Sequence, residues 1–346
     1  MSKRKLLYLA APGDTYLGPL HGFAEHLDVS VLNADGFGDL NRAGVDYWRG
    51  PGASVREFDA ILVAHERAHT TPDWLLSASV PRLFLSIDPI FFPDEHRLLA
   101  PCCDAVLSAS RDFVDVYHRL GLQRAEWFPY AYSPAEYFPA PAEKKWDLLF
   151  VGNVIPSIHD RRSRLLNLLS TEFSVRITRL PRDEVSAAYQ EARIVLNIGA
   201  TDRMNLRVFE ALGAGAFLLT SWADDLTPHF EDGVDLVTFT DDTVVDLARR
   251  YLSDDVARER VAAHGHRTAS QGHTWAHRGR RLAELIDELI EAGVGAPAKP
   301  PAARALRSYR NRELRGRSLV AAFERLPTPI QSAVRKVRGF ARRSES

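Results

Sequence analysis

Polar and charged side chains follow Asn197, at the point where a predicted strand gives way to a predicted helix. Asp202, Asn205 and Arg207 lie at or just inside the expected helix start. The unpaired N–H groups and positive dipole end of a helix form a natural seat for phosphate, and an arginine can add a bidentate contact to a diphosphate. Glu210, one turn further, could accept hydrogen bonds from two vicinal hydroxyls of a ribose. The stretch therefore favours a nucleotide-binding role.

A structural explanation of the same residues stays open at this level. Arg207 and Glu210 are three residues apart, so they could form an ion pair on a solvated helix face. Gly213 and Gly215 could simply end the helix and turn the chain into the next strand. Each residue alone fits either explanation about equally well, but their joint occurrence after a strand favours a binding site.

The elements that must position these residues form an alternating series. Short apolar runs, typical of buried parallel strands, alternate with helical patterns and with polar loops that contain glycine or proline. Helices are predicted, for example, over 18–27, 111–120, 160–169, 182–191, 204–212, 243–252 and 275–291. Strands are predicted over 6–10, 29–32, 60–64, 82–87, 105–108, 146–151, 173–177, 194–198, 216–220 and 236–239.

This pattern predicts an α/β protein with two Rossmann-like halves that face a central cleft. The proline-containing segment 139–145 is typical of an interdomain linker, so domains are predicted over 1–140 and 146–292. A Pro/Ala-rich linker and a basic helical tail are predicted over 293–346. Ligands bind such sheets at the carboxyl ends of the strands, so loops of both halves should face the cleft.

Length and composition agree with two soluble domains. The chain has 346 residues, of which 45% are hydrophobic and 26% charged. The formal net charge is −1, which argues against a nucleic-acid-binding protein. From Arg304 onwards, however, 12 basic residues face 3 acidic ones, so an acidic body is joined to a basic tail.

The cysteines and the apolar runs predict a cytoplasmic location. The two cysteines, Cys102 and Cys103, are adjacent, which excludes a disulfide framework and a cysteine-rich zinc site. No HExxH pattern indicates another metal site. The apolar run Leu6–Ala11 is too short for the core of a signal peptide, and no run of 18 apolar residues occurs.

Three segments of the C-terminal half carry a family signature: FEALGAGAFLLT at 209–220, EDGVDLVTF at 231–239 and HTWAHR at 273–278. They resemble the nucleotide-sugar-binding core of GT-B glycosyltransferases, especially the group-1 class and the CgeB (spore-protein-like) branch. In the N-terminal half, WFPYAYSPAEYFP at 127–139 is similar to a conserved proline-containing segment of that family. The resemblance covers roughly residues 60–290.

The resemblance implies a nucleotide-sugar donor in the C-terminal half: a UDP-, GDP- or dTDP-sugar. Glu210 would hold the ribose, and Asp202 would lie near the donor sugar, where group-1 members usually have a longer glutamate. Gly152 and Asn153 match the family's strand-end turn at the mouth of the cleft. No metal or other cofactor is required in this family.

The diphosphate contacts implied by the resemblance are incomplete in this chain. Group-1 enzymes normally place an arginine and a lysine soon after the strand-end turn, where they neutralise the diphosphate. The nearest candidates here are Arg161 and Arg162, and Arg207 is the stronger candidate.

Catalytic candidates in the N-terminal half also follow from the resemblance. Gly13 lies in the loop after the first strand, where family members face the donor. Asp88 ends the strand 82–87, where the family commonly places a histidine or aspartate near the reacting sugar. Inverting members use a base after the first strand, a role that His21 or Asp14 could fill. His21 is equally consistent with a surface residue at a helix start.

The expected activity is transfer of a sugar from a nucleoside diphosphate to a glycan or lipid-linked acceptor, with retention favoured. A retaining enzyme needs no protein nucleophile, because the leaving phosphate can assist the acceptor hydroxyl. Two alternatives stay open. One is a nucleotide-sugar epimerase, and the other is a noncatalytic GT-B-like protein that binds nucleotide or acts as a scaffold.

The end of the chain, residues 327–346, predicts a short helix with an apolar edge and cationic flanks. The apolar positions are Ile330, Val334, Val337 and Ala341, and the cationic ones are Arg335, Arg338 and Arg342. Such a helix suits an anionic membrane surface, which predicts peripheral attachment to the inner face of the membrane. Alternatively, residues 304–326 could cross back onto the N-terminal domain, or the tail could contact an acidic partner or nucleic acid nonspecifically.

Overall fold

Two parallel sheets organise the part of the chain that the structure describes. The computed structural model describes residues 2–10, 18–32, 50, 52–64, 67–155 and 159–324, with the backbone alone at 52–53 and 314–324. Within these residues, one sheet has six strands and the other five, and all the pairings are parallel. The predicted α/β class with two Rossmann-like units is confirmed.

The N-terminal sheet is built from residues 4–127. Its strands are β1 (Arg4–Ala10), β2 (Leu27–Leu32), β3 (Ala60–Ala64), β4 (Arg82–Ser86), β5 (Ala105–Ser108) and β6 (Ala125–Trp127). The spatial order is β2-β1-β3-β4-β5-β6. Helices of this half are α1 (Gly18–Ala24), α2 (Asp73–Leu76), α3 (Pro93–Leu99) and α4 (Arg111–Arg119).

The C-terminal sheet is built from residues 146–239. Its strands are β7 (Trp146–Val151), β8 (Val175–Thr178), β9 (Ala192–Asn197), β10 (Leu218–Ser221) and β11 (Val237–Phe239). The spatial order is β11-β10-β9-β7-β8. Helices of this half are α5 (Asp160–Ser170), α6 (Arg182–Gln190), α7 (Leu206–Gly213), α8 (Val244–Ser253) and α9 (Asp255–Gly272).

The apolar runs form strands because both faces of each sheet are buried. In β1, Leu7 and Leu9 pack into one hydrophobic cluster, whereas Leu6 and Tyr8 pack into another on the opposite face. All five residues of β3 are buried. A parallel sheet covered on both sides needs such continuous apolar strands. Each of the ten predicted strands is present, whereas β6 was missed because three residues carry no periodic signal.

The helix α10 (Trp275–Glu291) corrects the predicted division of the chain. The predicted C-terminal domain, 146–292, includes this helix, but Leu282, Ile286 and Leu289 are buried in the hydrophobic core of the N-terminal sheet. The helix packs on α1 so closely that a Cβ on Gly22 would collide with the backbone of Trp275. The periodicity of its apolar residues predicts a helix with one buried face, but it does not show which part of the chain covers that face.

The last described helix, α11 (Pro300–Glu324), also packs on the N-terminal half. Leu306 is buried in the N-terminal core, and Arg307 and Arg310 both donate hydrogen bonds to the carboxylate of Asp73, at 2.8 and 2.7 Å. The structure therefore supports the alternative in which the chain crosses back onto the N-terminal domain. The predicted amphipathic segment 327–346 lies outside the described residues. None of the helices in the described ranges is both long and apolar enough to cross a bilayer.

Candidate active site

A cavity of about 440 Å³, here called the central cleft, lies between the two sheets. Its size is in the range of small-molecule sites. One wall comes from the carboxyl-terminal side of the N-terminal strands and from the segment after β6, with Asp88, Ile90, Phe91, Ser110 and Tyr130. The other comes from the C-terminal half and includes Tyr137, Arg162, Arg182, Arg203, Asn205, Arg207 and Glu210. The cleft therefore brings together loops of both halves, as expected for this sheet architecture.

The helix α7 begins at the cleft as the sequence predicts. Asn205 is its N-cap, and the side-chain Oδ1 accepts a hydrogen bond from the backbone N–H of Arg207 at 3.1 Å. The chain ends the helix at Gly213 and turns at Gly215, whose φ of 69° suits glycine. Gly213 has a second role, because a Cβ there would collide with the ring of Tyr132.

Glu210 lies on the buried side of α7 and faces the cleft. Its Oε1 accepts hydrogen bonds from the Tyr137 hydroxyl at 2.8 Å and from Arg182 Nη2 at 3.2 Å. No described residue donates a hydrogen bond to Oε2. Burial raises the pKa of this carboxyl, against the opposing effects of Arg182 and Tyr137. The proposed ion pair with Arg207 does not form, so the solvated-face explanation of Glu210 is wrong.

Arg207 extends across the carboxyl end of β7. Its Nε donates to the carbonyl of Val151 at 2.8 Å, and its Nη1 donates to Asn197 Oδ1 at 2.7 Å. Gly152 leaves room for it, because a Cβ at that position would displace the guanidinium. Asn197 itself is buried and does not line the cleft, so it orients Arg207 from behind.

Arg162 supplies a second cation at the same place. Its guanidinium donates to the carbonyls of Ile198 and Asn153, at 2.9 and 2.6 Å, and is only 7% exposed. Burial and the neighbouring Arg207 lower its pKa to about 10. Within the described ranges, neither arginine has a carboxylate within ion-pair distance. Two partly desolvated cations with no carboxylate in direct contact among the described residues create an anion-attracting point at the cleft.

Asp88 stands on the opposite wall, two residues after β4. Its φ of 50° is a left-handed conformation that residues other than glycine seldom adopt. The Tyr130 hydroxyl donates to its Oδ1 at 2.9 Å. The carboxylate reaches solvent through the cleft, but the crowded walls desolvate it and raise its pKa, against the effect of the Tyr130 hydrogen bond. Backbone strain of this kind is concentrated at functional positions.

Asp202 is exposed and lies in an adjoining cavity of about 680 Å³ that shares Ile90, Thr201 and Arg203 with the central cleft. The other acidic residues of this second cavity are Asp112, Asp115, Asp224 and Asp225. Arg203 donates two hydrogen bonds to Asp112, at 2.6 and 3.0 Å, and so connects the C-terminal half with α4. Asp202 is thus near the cleft without lining it.

Other predicted site residues lie elsewhere. His21 is exposed on α1 and lines neither cavity, which supports its alternative assignment as a surface residue. Arg161 pairs with Asp241 at 2.7 Å and faces a smaller side pocket. Asn153 is exposed and contributes its carbonyl to Arg162. Gly13 lies outside the described residues.

Three residues at the cleft, Arg182, Tyr137 and Tyr130, are not among the site residues predicted from the sequence. Each contacts a carboxylate at the cleft. Both tyrosines lie in the family-like segment 127–139, which could have indicated them, whereas Arg182 lies outside the segments that resemble the family. Arg182 had one usable signal, since it is the first residue of α6, where a cation opposes the helix dipole.

Residues 143–284 match the family model described as "Glycosyl transferase-like". No curated protein sequence matches the chain.

Solved structures with the same fold include several sugar transferases. Sucrose-phosphate synthase from Thermosynechococcus elongatus has a TM-score of 0.62 at 9% identity, covering 84% of this chain and 100% of that one. Anabaena HepE in complex with UDP-glucose has a TM-score of 0.60 at 12% identity, covering 83% and 100%. T4 phage β-glucosyltransferase has a TM-score of 0.54 at 13% identity, covering 84% and 99%. The chain thus has the GT-B fold of these sugar transferases, and residues 143–284 are similar to a family of glycosyltransferase-like proteins.

Proposed function

We propose that this protein transfers a sugar from a UDP-sugar to a hydroxyl of a glycan or lipid-linked acceptor. The observation that carries the proposal is the combination, in one cleft, of two arginines and a buried glutamate. Among the described residues, no carboxylate pairs with either arginine and no group donates to the second oxygen of the glutamate. Arg162, Arg207 and the start of α7 suit a diphosphate, and Glu210 suits a ribose. Uridine is the base we favour, because Anabaena HepE binds UDP-glucose in the same fold.

Breaking the bond between the sugar and the diphosphate leaves negative charge on the departing phosphate. Arg207 and Arg162 are held in place by backbone carbonyls and Asn197, so they can stabilise that charge without reorganising. The Tyr130-bound carboxylate of Asp88 is the described N-terminal group best placed to orient or deprotonate an acceptor hydroxyl. We assign the second cavity, which Asp202 lines, to the acceptor, because it adjoins the central cleft.

Retention of anomeric configuration stays a prediction, as does independence from metal ions. A retaining reaction would use Asp88 only to orient the acceptor, whereas an inverting one would use it as the base. Proton NMR of the first-formed product gives the anomeric configuration and decides between these roles.

The acceptor is proposed from chemistry alone. The second cavity carries five aspartates against Arg111 and Arg203, so its charge favours the neutral hydroxyls of a glycan over a phosphate group. A lipid-linked glycan would satisfy this if its phosphate stays outside the cavity. The basic segment 327–346 would then bind an anionic membrane surface and bring the enzyme to such an acceptor.

The decisive experiment combines donor binding with turnover. A thermal-unfolding panel of UDP-, GDP- and dTDP-sugars should show stabilisation by a UDP-sugar, since ligands that bind the native state raise the unfolding temperature. Incubation of that donor with glycan acceptors should release UDP and form a glycoside. Conversion of the donor to its epimer without an acceptor would indicate an epimerase. Tight binding without any product across the acceptor panel would favour the noncatalytic alternative.

A further inference from the structure

We propose that Arg182 is a positioning residue for Glu210, and that it orients this carboxylate so that its open oxygen faces the donor ribose. The proposal rests on the donor assignment made above. It concerns a residue that is separated from Glu210 by 28 positions and lies on a different helix.

The first observation is that both described hydrogen bonds to the Glu210 carboxylate reach the same oxygen. Tyr137 and Arg182 donate to Oε1, at 2.8 and 3.2 Å, from two different elements. Two donors from separate directions fix the plane of the carboxylate, and the second oxygen is left for hydrogen bonds from a ligand. A ribose with two vicinal hydroxyls needs this arrangement, since a freely rotating carboxylate would lose part of its binding free energy in becoming ordered.

The second observation is that Arg182 is itself held in place. Its Nε donates to Glu136 Oε2 at 2.8 Å, while its Nη2 reaches Glu210. Its guanidinium also lies 5.8 Å from the centre of the Tyr137 ring. Glu136 and Tyr137 belong to the segment that connects the two sheets, so the guanidinium bridges that segment and α7.

The third observation is that Arg182 opposes the local preference of its helix. It is the first residue of α6, after the N-cap Pro181, where the helix dipole disfavours a cation. Asp183 and Glu184 follow in the same turn, where negatively charged side chains stabilise a helix. A residue that breaks a local rule while it contacts a binding-site carboxylate is typical of a functional position.

The electrostatic surroundings of Glu210 agree with this role. Arg182 and Arg207 favour its charged form, and the Tyr137 hydroxyl donates to it, whereas burial and the nearby Glu136 disfavour the charge. Tyr189 packs on the same side, and burial together with the charge of Glu210 raises the pKa of its hydroxyl. Removal of Arg182 would therefore raise the pKa of Glu210 further and weaken donor binding at mildly acidic pH first.

The experiment compares UDP with 2′-deoxy-UDP by isothermal titration calorimetry between pH 5.5 and 8. The wild type should bind 2′-deoxy-UDP about tenfold more weakly than UDP, because one hydroxyl contact to Glu210 is lost. Arg182→Ala should bind UDP about tenfold more weakly than the wild type. It should also discriminate the two ligands by no more than about twofold, with its pH midpoint moved upwards.

Two further variants and a control make the result specific. Arg182→Lys keeps the charge but cannot bond Glu136 and Glu210 together, so it should restore the pH midpoint and only part of the discrimination. Tyr137→Phe removes only the hydroxyl and should also reduce the discrimination. Arg249→Ala, at a surface arginine paired with Glu172 and Asp246, should leave both ligands unaffected.

The outcomes separate this proposal from the one on which it rests. If wild-type protein binds UDP and Arg182→Ala retains both the tenfold discrimination and the pH midpoint, the positioning role is wrong and the donor assignment stands. If the wild type binds no UDP, the donor assignment fails and the positioning role fails with it. If circular dichroism shows that Arg182→Ala does not fold, Arg182→Lys and Tyr137→Phe are used instead. Full discrimination between UDP and 2′-deoxy-UDP in both variants would show that the positioning role is wrong.

Discussion

Arg162 and Arg207 approach the same aromatic ring, that of Phe150, with guanidinium carbons 5.2 and 4.8 Å from its centre. The two cations come from different helices and repel each other, which contributes to the lowered pKa of Arg162. Their ordered partners within the described residues are carbonyl and amide oxygens and an aromatic ring. A bound diphosphate would supply the missing negative charge.

Substitution of Arg207 by alanine should therefore affect the ligand more than the fold. Loss of a charged contact to the diphosphate is expected to weaken UDP binding about tenfold to a hundredfold. The unliganded protein should lose little stability, because mutual repulsion with Arg162 is relieved. Calorimetric titration with UDP and thermal unfolding without ligand measure the two effects. Unchanged UDP affinity would show that Arg207 does not hold the diphosphate.

Glu210→Gln should stabilise the unliganded protein near neutral pH while it weakens donor binding. The folded protein raises the pKa of Glu210, so the native state binds the proton more tightly than the unfolded chain. The free energy of unfolding therefore falls as the pH rises from the pKa of Glu210 in the unfolded chain through its pKa in the folded protein. Glutamine does not ionise, so the variant avoids this loss of stability. Urea unfolding between pH 4 and 8 should give a flatter curve for the variant. A variant less stable than the wild type at pH 7 would contradict the expectation.

Asp112→Asn should have a small effect on stability in spite of its two hydrogen bonds to Arg203. The side chain of Asp112 is 53% exposed, and exposed ion pairs contribute about 0–1 kcal/mol. Arg203 lowers the pKa of Asp112 in the folded protein. The stabilisation by this ion pair is therefore present at neutral pH and is lost as the pH falls through that lowered pKa. The difference between variant and wild type should disappear in 1 M salt. A loss that persists in high salt would indicate a packing role instead.

Gly22→Ala should be strongly destabilising, because its Cβ would collide with the backbone of Trp275 where α1 packs on α10. Overpacking of this kind costs about 1–3 kcal/mol. The matched control is Gly272→Ala, where a Cβ would meet nothing within 4 Å. Chemical denaturation of both variants compares the two costs. Equal stability of the two variants would mean that α1 and α10 can move apart without a loss in the free energy of unfolding.

Deletion of residues 327–346 should weaken binding to vesicles that contain anionic lipid. Cationic side chains near such a surface each contribute about 1 kcal/mol at low salt. Co-sedimentation with phosphatidylglycerol vesicles, at low and at high salt, measures the effect, and neutral phosphatidylcholine vesicles serve as the control. Equal binding by the full and shortened chains would remove the basis for membrane attachment.

The local parts of the site follow from neighbouring residues and were predictable. The cap at Asn205, the turn at Gly215 and the apolar strands depend on interactions within a few positions, where propensity and periodicity are informative. Arg207 and Glu210 could be selected from their place at the start of α7. The sequence did not show that Arg161 is paired elsewhere, because its partner Asp241 lies 80 positions away.

The sequence by itself determined the two alternating α/β halves and the capped start of α7, since both depend on short-range order along the chain. Only the tertiary structure decided which charges meet. Arg182 and Tyr137 donate hydrogen bonds to Glu210, and α10 packs on the N-terminal core. Among the described residues, no carboxylate forms an ion pair with Arg162 or Arg207. These outcomes depend on contacts between distant segments, where distance and burial set the strength of each interaction.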